Sequence, residues 1–179
     1  MNIQICPRVP TRIAGKLVVI LMILALSACQ PDTFRPPSQS ELDVFSRDEG
    51  ITPIENITLG ESTVLLYEKG TSVGYYTLSV REPAGELVMS RTSGPKSGEP
   101  ILVMGQLSGE YPFVVVIIQD PILLAKTATI EVAVNSQSPL TASTNGRASA
   151  ILVSPSQIND WGAVTLYNAR GEVIYRQEG

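Results

Sequence analysis

Residues 111–119 read YPFVVVIIQ, and positions 114–118 within them are apolar without exception. Successive side chains of a β-strand point to opposite faces of its sheet, so this run is apolar on both faces. Such a strand is typical of a sheet that is covered on both sides. We therefore expect a central strand, with one face against an opposing sheet and the other roofed by residues 148–176. The alternative is that one face is a partner surface, because exposed apolar patches mark interaction sites.

The chain around this run has the pattern of an all-β domain from Gly50 onward. Short runs rich in Val, Ile, Thr and Tyr alternate with Gly, Pro, Asn and Ser, and no amphipathic helical period of useful length appears. Tight turns are expected at 83–85 and 168–171, and longer loops at 92–100 and 135–147. The predicted strands are 51–59, 63–68, 73–81, 86–91, 101–106, 111–119, 127–135, 148–153, 163–167 and 172–176. We predict a β-sandwich.

The composition excludes several kinds of chemistry. The 179 residues include no His and only two Cys. Without His, the chain cannot build a Ser-His-Asp or Cys-His catalytic site, or a metal site that needs imidazole. Paired carboxylates, Ser with Lys, and Tyr are the remaining candidates for catalysis.

The N-terminal residues resemble the signal peptide of a bacterial lipoprotein. Three basic residues precede an unbroken apolar run at 17–26, which fits a secretory signal and is shorter than the ~20 residues that span a bilayer. Residues 26–29, Leu-Ser-Ala-Cys, resemble a lipobox. The resemblance implies an N-terminal signal helix, cleavage between Ala28 and Cys29, and lipidation of Cys29 by palmitate-type acyl chains. The residue after Cys29 is Gln30 and not Asp, and in this resemblance that favours the outer membrane if the organism has one.

Cleavage at that position would leave one domain on a tether. Residues 29–179 carry ten Lys and Arg against 17 Asp and Glu, a net charge of −7, which disfavours nucleic acid as a partner. Cys6 would be lost and Cys29 lipidated, so stability must come from the core rather than from disulfides. Pro31, Pro36 and Pro37 favour extended conformers. We expect a signal peptide at 1–28, a flexible tether at 29–48 and the β domain at 49–179.

Two short motifs resemble those of immunoglobulin-like domains. Residues 59–62, Leu-Gly-Glu-Ser, are similar to the turn before the second strand of such domains. Gly109, Tyr111 and Phe113 resemble the tyrosine corner, with Phe113 in the place of the cysteine. The resemblance covers about 51–135 and implies an immunoglobulin-like β-sandwich in which the Tyr111 hydroxyl bonds back to the chain.

The candidate catalytic motifs lack the structural context that their chemistry needs. Residues 70–74 match G-x-S-x-G, but a strand-like run follows them and no His exists, so a tight turn is expected. Ser93 and Lys96 match S-x-x-K in a Gly/Pro loop rather than at a helix start. The carboxylates Glu68, Glu82, Glu86, Glu99 and Asp120 have no diagnostic spacing for a hydrolase. We predict no catalytic residue, no metal site and no cofactor.

The sequence thus predicts a non-enzymatic binding module on the extracytoplasmic side of the bacterial cell envelope. It would be attached to a membrane through lipid on Cys29 and would hold a protein or an envelope polymer. The alternatives are a structural or assembly lipoprotein of an envelope complex and, third, a carboxylate-based hydrolase.

We predict that Cys29→Ser releases the protein from the membrane, because it removes the thiol that accepts the lipid. The measurement is palmitate labelling with membrane fractionation of cells that express either form. Survival of both the label and the membrane association in the variant would contradict the anchor assignment.

Overall fold

A computed structural model of the chain describes residues 32–96, 98–134 and 138–179. Apart from Thr33, the residues of the helices and strands lie in one compact unit, Phe34–Gly179. The helices are α1 (Gln39–Glu49) and α2 (Pro121–Lys126). The strands are β1 (Thr33–Arg35), β2 (Thr52–Leu59), β3 (Ser62–Lys69), β4 (Ser72–Glu82), β5 (Glu86–Pro95), β6 (Ile101–Gln106), β7 (Phe113–Ile118), β8 (Thr129–Val134), β9 (Leu140–Ser143), β10 (Ser149–Val153), β11 (Trp161–Tyr167) and β12 (Val173–Gln177).

The strands form three sheets. The first has the order β1-β4-β3-β2, with β5 also paired with β4; the second is β10-β7-β6; the third is β12-β11-β8-β9. The pairings from β2 onward are antiparallel. The prediction of an all-β architecture is therefore confirmed. Immunoglobulin-like topology is not confirmed, since three sheets stand where that sandwich has two.

Strand β7 is the centre of the second sheet and of the domain. Its six residues are buried, and it pairs with β6 on one edge and β10 on the other. Phe113, Val115 and Ile117 pack against the first sheet, in a cluster with Val64, Leu66, Val73, Tyr75 and Met104. The alternate residues Val114, Val116 and Ile118 pack against the third sheet, with Ile130, Val132, Val134, Val164 and Leu166. The second sheet is thus a middle layer between two others.

The prediction that β7 is covered on both faces is confirmed, but its cover differs from the expected one. Residues 149–153 lie beside β7 in the same sheet and not over it. The roof on that side is the third sheet, to which β8 contributes as much as β11 does. The reason is that the sequence of β10 alternates little and gives no sign of whether it pairs with β7 or covers it.

Helix α1 covers the outer face of the first sheet. Leu42 and Phe45 are buried in a cluster with Leu65, Tyr67, Tyr76, Leu78 and Ile51. The ring of Phe45 meets that of Tyr76 edge-on, with 4.9 Å between centroids. Burial of an apolar side chain of this size stabilises by about 1.5–3 kcal/mol. The short helix is therefore held by the sheet, since an isolated helix of this length is marginal in water.

Local sequence signals set both ends of α1. Ser38 is the N-cap, and its backbone N–H donates to the Glu41 carboxylate at 2.7 Å in a capping box. Gly50 ends the helix in the left-handed conformation that glycine adopts most readily. The Arg35 guanidinium donates to both carboxylate oxygens of Glu41, at 2.8 and 2.9 Å, and to Glu82 at 2.7 Å. Arg35 thus links the start of α1 to the end of β4.

The structure differs here from the sequence expectation. Residues 39–48, expected in a flexible tether, belong to an 11-residue helix whose apolar side is buried, so folded structure begins before residue 49. The apolar positions are few, and the helix is stabilised by long-range contacts with the first sheet that a local period does not reveal. The predicted signal peptide, with Ala28, and the predicted lipidation site Cys29 lie outside the described residues.

The other differences are small. The ten predicted strands are present with bounds shifted by a few residues. The expected loop at 135–147 contains the short strand β9, and β5 runs on into the expected loop at 92–100. Helix α2 was not predicted; Asp120 caps it by accepting from the backbone N–H groups of Ile122 and Leu123. The expected turns at 83–85 and 168–171 join β4 to β5 and β11 to β12.

In the described part of the chain, no helix is both long enough and apolar enough to cross a bilayer.

We predict that Phe45→Ala lowers the free energy of unfolding by about 3–5 kcal/mol, because it leaves a cavity between α1 and the first sheet. Val44→Ala, on the exposed side of the same helix, should change it by less than about 0.5 kcal/mol. Urea unfolding of both variants makes the comparison. Equal stability of the two would mean that α1 does not pack on the sheet.

Candidate functional site

A groove runs between helix α1 and the hairpin of β4 and β5. Its volume is about 510 Å³. We call it the α1–β5 groove, and it is lined by Ser40, Glu41, Val44, Phe45, Asp48 and Glu49 of α1 and by Val80, Gly85, Leu87 and Met89 of the hairpin. The strand side of the groove follows from the register. Val80 pairs with Leu87 and Leu78 with Met89, so alternate residues of both strands face α1.

Large apolar side chains remain exposed in this groove. Val44 is 49% and Met89 53% exposed, whereas Phe45 beside them is only 7% exposed. The buried Phe45 and Val80 form the floor, and Val44 and Met89 rise at the sides. Apolar side chains that share one concave surface, rather than being scattered singly, are typical of interaction sites. Methionine also adapts its shape to different partners.

The rim of the groove is acidic. Glu41, Asp48 and Glu49 line it, and none of the described lining residues is Lys or Arg. The charge of Glu41 is matched by Arg35 at 2.8 Å, and the charge of Glu49 is partly offset by Arg91, so the remaining negative field comes mainly from Asp48 with a smaller part from Glu49. Glu49 also accepts a hydrogen bond from the Tyr76 hydroxyl at 3.1 Å. Burial raises the pKa of Tyr76, and this hydrogen bond raises it further.

An aromatic cluster fixes the sheet beside the groove. The Arg91 guanidinium donates to the Tyr67 hydroxyl at 2.7 Å and lies 5.6 and 5.7 Å from the ring centroids of Tyr67 and Tyr76. Both rings are buried. Cation–π contacts of this kind stabilise the positions of the two tyrosine rings on the sheet face that α1 covers. The hydrogen bond with Tyr67 raises the pKa of the Arg91 guanidinium, and electrostatic interaction with Tyr67 and Tyr76 raises it further, so Arg91 stays charged.

The residues predicted as a tyrosine corner lie around a different opening. Phe113 is buried in the core, with its ring 5.1 Å from that of Tyr75. Gly109 has a φ of +113°, which favours glycine, and its carbonyl accepts from Gln157 at 2.8 Å. Tyr111, however, is 37% exposed, and the adjacent Glu110 carboxylate raises the pKa of its hydroxyl. This exposed, acidic setting differs from the buried hydrogen bond that the resemblance implies.

The remaining motifs do not come together as a catalytic site among the described residues. Gly70 and Thr71 of the G-x-S-x-G segment form the turn between β3 and β4, with Gly70 at a φ of +58°, and its last three residues begin β4. Ser93 lies in β5 opposite Gly74, and Lys96 pairs instead with Glu68 at 2.9 Å. Glu82 pairs with Arg35, Glu86 with Arg81, and Asp120 caps α2.

Sequence reasoning missed the groove because it placed residues 39–48 of α1 in a flexible tether. The available signals were Ser38 followed by Glu41, a capping box, and the Gly50 stop. Nothing in the local sequence indicates that Met89 and Val44 face the same opening. For the part of the chain that the structure describes, no three His, Cys, Asp or Glu side chains are grouped so as to hold a metal ion.

Comparison with known proteins finds no matching family model, no matching curated protein and no matching solved structure.

Proposed function

We propose that this chain is a lipid-anchored, non-enzymatic binding module of the bacterial cell envelope. In this proposal Cys29 carries the lipid on the extracytoplasmic side, and the β-sandwich that follows holds a protein partner near the membrane. The α1–β5 groove is the observation that carries the binding role. The lipobox at 26–29 carries the location.

The chemistry of the groove selects the kind of partner. Its floor and sides are apolar, through Phe45, Leu87, Val44 and Met89, so the partner must bring apolar side chains that lose water on binding. Its rim carries Asp48 and Glu49, so positive side chains flanking those apolar ones are favoured and negative ones are repelled. A basic amphipathic segment of another protein meets both requirements, with an apolar stripe inserted between α1 and β5.

The charge of the domain agrees with this choice. Residues 29–179 carry a net charge of −7, so the surface as a whole attracts basic partners at long range. An anionic polymer would meet repulsion both at long range and at the groove rim. Within the envelope, a basic protein segment is therefore favoured over an acidic polysaccharide.

The proposal predicts saturable binding of an amphipathic helical peptide of leucine and lysine to the full chain in detergent micelles. Val44→Asn with Met89→Gln should weaken the affinity at least about tenfold, because the substitutions replace the two exposed apolar sides of the groove with polar amides and leave its charge unchanged. Fluorescence anisotropy of the labelled peptide measures both affinities. Binding should also weaken as salt rises, since the rim charges are exposed.

Two controls make this test specific. Val173→Asn changes an apolar residue of β12, 58% exposed and outside the groove, and should leave the affinity unchanged. A peptide with glutamate in place of lysine should bind at least about tenfold more weakly. Equal binding by the groove variant and by Val173→Asn, or equal binding of the two peptides, would contradict the proposal.

A further inference from the structure

A second cavity opens between the first and second sheets, away from the α1–β5 groove. Its volume is about 320 Å³, which lies at the small end of the range for ligand sites. We call it the Tyr111 cleft, and its lining residues come from β1, the hairpin of β2 and β3, β4, β6, β7 and the segment before β7. Along the chain these residues fall in four separate stretches, at 34, 59–64, 77–79 and 106–113. The four stretches converge on a space large enough for a ligand of side-chain size.

Aromatic rings form much of the apolar part of this cleft. Phe34, Tyr111 and Phe113 all line it. Phe113 is held from behind by its edge-on contact with Tyr75. The Tyr111 ring lies against Gly60, where an added Cβ would stand 2.5 Å from Tyr111 Cε2. Gly60 also has a φ of +57°, so both the turn and the seat of the ring require glycine there.

Negative charge enters the cleft from two sides. Glu61 comes from the turn between β2 and β3, and Glu110 from the segment before β7. The hydrogen bond and charge of Glu110 raise the pKa of Tyr111 most, and the charge of Glu61 adds to the effect. The two carboxylates therefore act on the same hydroxyl although they come from different sheets. No Lys or Arg is among the described residues of the lining, so the potential in the cleft is negative.

One polar atom of the lining is buried without a partner. Ser62 and Ser79 bond to each other at 2.7 Å, whereas Thr77 Oγ1, on the same face of the first sheet, has no hydrogen-bond partner within the described residues. A buried hydroxyl without a partner is costly. The protein's own atoms thus leave this hydroxyl of the lining unpaired.

We propose that the Tyr111 cleft binds an organic ammonium group with a short apolar stem, as in a lysine side chain. The ammonium group lies between Glu61 and Glu110, and the stem packs against the rings of Tyr111 and Phe113. Carboxylates attract the charge, and the faces of aromatic rings also favour cations. An anionic ligand is repelled by the two carboxylates. A bare metal ion gains no binding energy from the apolar walls of the cleft. This site is separate from the α1–β5 groove and does not depend on the function proposed for it.

The test is a titration of the full chain in detergent micelles with n-butylammonium, followed by nuclear magnetic resonance of the backbone amides. We expect saturable shifts centred on Gly60 and Tyr111. The apparent affinity obtained from these shifts should be at least about fivefold lower for uncharged n-butanol, because it lacks the charge that the two carboxylates attract. Calcium chloride alone tests the competing possibility of a metal site.

Two variants complete the test. Glu61→Gln with Glu110→Gln should weaken n-butylammonium binding at least about fivefold while the fold stays intact, since both side chains are exposed. Glu178→Gln removes an exposed carboxylate outside the cleft and should leave the affinity unchanged. Absence of saturable shifts, equal affinity for n-butanol, equal affinity of the double variant, or tighter binding of calcium at the same amides would each overturn the proposal.

Discussion

The domain depends on the need to cover strand β7 from both sides. Every residue of β7 is apolar and buried, so neither of its faces can meet water without a large cost in free energy. A two-layer sandwich would leave one of these faces exposed. The chain meets the requirement with three sheets, in which Val115 faces the first and Val116 faces the third.

This arrangement creates both the α1–β5 groove and the Tyr111 cleft. The first sheet has five strands and the second only three, so parts of the inner face of the first sheet extend past their cover. The Tyr111 cleft lies at one such place, where Thr77 and Ser79 of β4 face into it. On the outer face, α1 is one helix over a wide sheet and covers only part of it. The α1–β5 groove is the uncovered remainder, with Met89 at its far side.

Some of this could be predicted from sequence, for clear physical reasons. Strands with continuous or alternating apolar residues, such as 114–118 and Ile130 to Val134 in β8, declare both their type and their burial. Turns that require a positive φ are predictable because glycine occupies that position, as at Gly171. The central place of β7 followed from the unbroken apolar run at 114–118, which is apolar on both faces of a strand.

Other features could not be predicted because they depend on contacts between distant segments. Helix α1 is stabilised by Leu42 and Phe45 against the first sheet and by Arg35, which reaches to Glu82. A three-sheet arrangement depends on which strands pair, and pairing partners such as β10 and β7 lie far apart in sequence. The motif around Tyr111 matched a known corner in its letters, but its surroundings are exposed and acidic.

Native-state hydrogen exchange of the β7 amides tests the central claim most directly. These amides pair with β6 and β10 on the two edges and lie beneath a sheet on each face. They should therefore exchange only through global unfolding, with a free energy of opening equal to that of complete unfolding. Amides of β5, which pairs with β4 on one edge, should exchange faster through local opening. Exchange of the β7 amides as fast as those of β5 would contradict the placement of β7 in a middle layer.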